Sequence, residues 1–157
     1  MIIRFEKLII QLITLIFSIA IIGLEAQSSD KVEQQPIHRK VFFIQPNEGA
    51  EISSPVHLVF GVSGLKIKAA GENIDDKSAG HHHLIIDGDS IMEGQVIPPT
   101  TTTTIHYGKG QTEATLELPP GKHKLTLQFA DGAHRSYGKD LSATISITIK
   151  PPLLPKH

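Results

Sequence analysis

The chain has 157 residues, with fifteen Lys+Arg against sixteen Asp+Glu and a formal net charge of −1. That balance excludes a strongly basic nucleic-acid binder and an acidic disordered tail. Cysteine is absent, which excludes disulfides, thiolate metal sites, iron–sulfur clusters, blue-copper sites and thiol catalysis.

Arg4 and Lys7 precede an apolar run from Leu8 to Leu24, and the small residue Ala26 follows. A basic start, an apolar stretch and a small residue predict a secretory signal peptide over residues 1–26. A helix of that apolar run covers roughly 25 Å, short of a ~30 Å hydrocarbon core, which favours cleavage over an uncleaved anchor. The expected localisation is secreted or periplasmic, with membrane contact only through an uncleaved signal segment. Residues 27–40 are polar and contain Pro36; they read as a flexible leader.

Short period-two patterns then recur between Gly and Pro clusters. They predict seven strands: Val41 to Ile44, Val56 to Val62, Leu65 to Ala69, His81 to Asp87, Thr112 to Leu118, Lys122 to Phe129 and Ala143 to Ile149. In Lys122 to Phe129, the residues His123, Leu125, Leu127 and Phe129 share the inward face. Lys122, Lys124, Thr126 and Gln128 share the other face, read as outward. Residues 88–104, with Pro98, Pro99 and the run Thr100 to Thr104, carry no settled pattern. Seven short strands predict an all-β, immunoglobulin-like antiparallel β-sandwich over residues 41–150. The Pro-rich tail 151–157 cannot extend a ladder.

Histidine is the anomaly, with nine residues of which three are consecutive. Alternation puts His81 and His83 on one strand face and His82 on the other, beside Leu84 and Ile86. His82 therefore reads as a half-buried, hydrogen-bonded core residue. Strand direction in a sandwich brings the start of the His81 strand, the His106 segment and the Asp131–His134 loop to one end. His57 and His123 fall at the other end. His123 stands where such domains place a corner tyrosine, and reads as tied to backbone. His38 and His157 lie in terminal segments and carry no signal.

His81, His83, His106 and His134, with Asp131, are the candidate metal ligands. Nitrogen and oxygen donors favour Zn²⁺, Cu²⁺ or Ni²⁺, with Zn²⁺ or Cu²⁺ the expected ion. Asp131 and Asp87 are equally open to a role as acceptors that orient imidazoles. The alternative is an envelope interaction module whose histidines only brace loops. There is no H-E-x-x-H, G-x-S-x-G or P-loop, and no visible nucleophile–base pairing. The domain therefore reads as non-enzymatic, with an uncharacterised hydrolase as the alternative. An envelope or extracellular partner is expected; nucleic acid is not.

Three segments carry a family resemblance: Gly80-His81-His82-His83-Leu84-Ile85-Ile86-Asp87; His106 to Glu113 continuing to Leu118-Pro119-Pro120-Gly121-Lys122-His123; and Leu125 to Phe129 with Asp131 and His134. In these the chain resembles a bacterial secreted family known as domain of unknown function 4399. The resemblance implies a small exported β-sandwich and supplies no activity.

Overall fold

The computed structural model describes residues 38–152. The expected signal peptide lies outside the described residues, as do most of the leader and the tail beyond Pro152. In chain order the strands are β1 (Lys40–Gln45), β2 (Glu51–Ile52), β3 (Val56–Ser63), β4 (Lys66–Ile67), β5 (Ala79–Ile86), β6 (Thr104–Tyr107), β7 (Glu113–Leu116), β8 (Gly121–Ala130) and β9 (Ser142–Ile149). The described residues contain no α-helix; a single 3-10 turn, Lys139–Leu141, leads into β9.

Two sheets form. One has the order β1-β3-β7; the other runs β2-β9-β8-β5, with β4 and β6 both pairing β5. Pairings are antiparallel except β2 with β9 and β4 with β5. The chain crosses between sheets from β3 to β5 and from β7 to β8, the Greek-key pattern of an immunoglobulin-like sandwich. All seven expected strands are present, one of them, β4, cut to two residues. The structure adds β2 and β6.

Alternation explains most of the packing. In β9, Ile145, Ile147 and Ile149 are buried while Thr144 and Ser146 are exposed. In β3, Val56, Leu58 and Phe60 point inward and His57 is exposed. These side chains meet Leu84, Leu125, Leu127 and Phe129 from the second sheet in one core. Each fully buried aliphatic or aromatic side chain contributes about 1.5–3 kcal/mol of transfer free energy.

The outward face of β8 departs from expectation. Thr126 and Gln128 are as buried as Leu125 and Leu127. The reason is that the segment after β5 and the connection from β8 to β9 both cover this face. The Thr126 hydroxyl donates to the Gly88 carbonyl at 2.9 Å. The Gln128 amide oxygen accepts from Ile91 N–H at 3.1 Å, and its nitrogen donates to the carbonyls of Gly138 and Leu141. Every residue of β5 is likewise buried. The second sheet is thus covered twice, by the first sheet on its inner side and by loops on its outer side.

Candidate metal centre

β5 sits in the middle of that doubly covered sheet. Its register pairs His81 with Ala130, His82 with Phe129 and His83 with Gln128 on one flank. On the other flank His83 faces His106 of β6. His81, His83 and His106 therefore project from the outer face. The loop after β8 adds His134, whose backbone has φ +63. That loop is fixed on both sides: His134 N–H donates to the Asp131 carbonyl at 2.9 Å, and Ile97 N–H donates to the His134 carbonyl at 2.9 Å.

The four imidazoles converge. Ring centres are 4.9 Å apart for His81–His83, His81–His106 and His83–His106. His134 stands 5.0 Å from His81, 5.8 Å from His83 and 4.8 Å from His106. One ring nitrogen from each of His81, His83 and His106 lies within 4.8 Å of the others. The Nε2 atoms of His81 and His83 are 3.0 Å apart, so one of them donates to the other. Nδ1 of His81, Nδ1 of His83 and Nε2 of His106 are buried without a partner among the described residues.

Burial keeps these rings neutral. It lowers the His81 pKa to about 4, and the neighbouring His106, His134 and His82 push it the same way while Asp131 opposes. Burial, reinforced by His81, His106 and His134, lowers His83 to about 2. His106 is lowered by burial and by His134. A neutral imidazole offers a lone pair, the form that ligates a metal.

His82 behaves differently from expectation. It is wholly buried in the core, with Phe60 and Phe129 against its ring at 5.0 and 4.9 Å between centres. Neither ring nitrogen has a hydrogen-bond partner among the described residues. Burial lowers its pKa to about 4; the peptide groups of Gly61 and Gln111 oppose that, without meeting hydrogen-bond geometry.

The carboxylates are engaged by other partners. Asp131 is buried, and its oxygens are occupied: Oδ1 accepts from Ala133 and Arg135 N–H at 2.9 Å, and Oδ2 from Lys77 Nζ at 2.6 Å. Burial raises its pKa, but these donors outweigh burial and hold the carboxyl below the usual range. It ties down the loop that carries His134. Asp87 lies at the other end of β5, where it bonds His123 Nδ1 at 3.0 Å. His123 Nε2 donates to the Pro119 carbonyl at 2.9 Å, the bond a corner tyrosine makes in related sandwiches. His57 pairs with Thr115 at that same end.

The fold and the cluster together define a β-sandwich domain with a buried nest of histidines. The chain belongs to the family described as a domain of unknown function, DUF4399, which it matches over residues 58–150. The match starts inside β3 and includes all four clustered histidines. No curated protein and no solved structure matches this chain.

Proposed function

We propose that this is an exported, non-enzymatic domain that binds a divalent transition-metal ion through His81, His83 and His106. One observation carries the reading: three neutral imidazoles share a buried point, and no backbone carbonyl occupies their nitrogens. A buried polar atom left unpaired costs about 1–3 kcal/mol, and each of these three rings carries one: Nδ1 of His81, Nδ1 of His83 and Nε2 of His106. In His81 and His83 the nitrogens that face each other are the Nε2 atoms. The 3.0 Å separation of the two Nε2 atoms is near the ~3.3 Å edge of a tetrahedron with ~2.0–2.1 Å metal–nitrogen bonds. Imidazole donors suit Zn²⁺ and Cu²⁺.

The bracing alternative requires rings bonded to backbone, which holds for His123 and not for the cluster. A His–Asp dyad does exist in His123 and Asp87, but the Nε2 that would activate a nucleophile is bonded to the Pro119 carbonyl. That geometry supports a non-enzymatic reading. Export rests on Arg4, Lys7 and the Leu8 to Leu24 run. A partner in the envelope or outside the cell would follow from that location.

Metal analysis of untagged protein taken from its native compartment tests the site. A stoichiometric transition metal is expected, and its loss is expected in the double variant His81→Ala/His83→Ala, with the fold retained. Metal content unchanged by that double variant would place binding elsewhere. For export, a fusion of residues 1–30 to a reporter should be secreted and shortened near Ala26. A full-length product held in membranes would establish an anchor instead.

A further inference from the structure

The four ring centres carry more information than the three close nitrogens. Their six separations all fall between 4.8 and 5.8 Å. Four points that are nearly equidistant form a tetrahedron. In a square array two of the six separations would be the diagonals, about 7 Å for sides of this length, whereas cis edges alone would match. Four imidazoles bound through one nitrogen each at about 2.0–2.1 Å would set their ring centres about 3.2 Å from the ion and about 5.2 Å from each other. The observed spacing brackets that value.

We infer that His134 is the fourth ligand, closing a tetrahedral four-nitrogen shell that suits a zinc-class ion and leaves no open coordination position. This deepens the metal-binding reading above and rests on it. Three of the ligands stand on paired strands, and the fourth is carried by a loop. The ring nitrogens of His134 lie outside the 4.8 Å group formed by the other three, so closure turns that ring about its side-chain bonds. The backbone beneath it is already set. A left-handed φ at a residue with a side chain is uncommon and is sustained where surroundings over-determine it. Here the buried Asp131 carboxylate accepts from Ala133 and Arg135 N–H on either side of His134.

Burial differs among the four rings. His81 and His83 are fully buried, whereas His106 and His134 are half-buried. An ion would enter on the His106–His134 side and be enclosed by His134. A saturated shell presents no site for substrate or activated water, unlike catalytic zinc with three protein ligands. The chemical role that fits is a cross-brace or a store, joining β5, β6 and the β8–β9 loop.

Cobalt(II) is the probe, because its visible spectrum reports coordination number. The untagged chain titrated with Co²⁺ should give intense tetrahedral bands, and added azide should leave them unchanged. His134→Asn and His134→Gly both accept a left-handed backbone, so the turn and the fold should persist. Each should still take up Co²⁺ through three histidines, with bands that shift on adding azide. Their Zn²⁺ affinity should fall more than about tenfold. Azide-sensitive bands in the unmodified chain, or unchanged spectra in both variants, would overturn the closed shell while leaving the three-histidine site standing. No Co²⁺ or Zn²⁺ uptake by the unmodified chain would overturn both.

Discussion

The two ends of the sandwich use the same side chain in opposite ways. At one end His123 has both nitrogens engaged, one by the Pro119 carbonyl and one by Asp87. At the other end His81 and His83 bond only each other, and one buried nitrogen on each of His81, His83 and His106 has no partner among the described residues. Histidine number alone therefore says little about a metal site. What separates ligand from brace is whether the fold has already supplied each ring with a backbone or carboxylate partner. The corner histidine has both ring nitrogens partnered, and the rings of the nest do not.

The largest effect that would sharpen this contrast is metal stabilisation. With free Zn²⁺ at a thousand times its Kd, the folded state should gain about 4 kcal/mol, read as a rise in Tm near neutral pH. His81→Ala/His83→Ala should lose that gain. His123→Ala should keep it in full. A gain lost on changing His123 would break the contrast between the ends.

Acid should act next, on the buried rings. His82 has a folded pKa of about 4 against an ordinary 6.5. Between those values the unfolded chain binds the proton and the folded protein does not. Stability without added metal should therefore fall as pH drops from about 6.5, by roughly 3 kcal/mol for this residue, and level off near pH 4. His81 and His83, lowered for the same reason, add in the same direction. His82→Leu should flatten the His82 part of this profile in denaturant titrations. It should also raise stability at pH 7 by about 1–3 kcal/mol, because two unpaired nitrogens leave the core. A destabilised His82→Leu would mean that the ring has a role the packing does not show.

How much of this was legible in the sequence depended on which physical signal each feature leaves. Alternation marked β3 and β9 because each has one solvated or half-solvated face. It gave no warning of β2 and β6, whose two and four residues are too few for a period to register. It misread the outer face of β8, since Thr126 and Gln128 look like solvent-facing residues. Their burial depends on residues 88–97 and on Gly138 and Leu141 covering this face, and nothing local to β8 encodes that. Strand direction was enough to place His81, His83, His106 and His134 at one end and His57 and His123 at the other. It could not show that the nest lies beneath loops. Nor could it separate Asp131, which holds the loop, from a ligand: both need a carboxylate at the same position in the chain.

At the corner, His123→Ala should cost about 1–2 kcal/mol, the loss of two hydrogen bonds of which one is to a carboxylate. Its effect on Zn²⁺ affinity should be nil in a competition titration. A loss of stability well above that range would make the corner more than a local brace.

The smallest effect on the fold, and the most selective for the site, is expected at Gly108. A Cβ there would stand 2.2 Å from Cε1 and Nε2 of His106 and 3.1 Å from its Nδ1. Gly108 is not among the residues with a left-handed φ, so Gly108→Ala adds no backbone strain. The clash falls on a ring that can rotate about its own side-chain bonds, and His106 is only half-buried. The ring should therefore swing aside at a cost below about 1 kcal/mol. That displacement removes one nitrogen from the cluster while β5, β6 and their pairing stay in place. Zn²⁺ affinity should fall more than about tenfold, matching His106→Ala, with Tm in the absence of metal nearly unchanged. Wild-type affinity in Gly108→Ala would mean that His106 binds nothing, and that the third ligand must be sought in the loop.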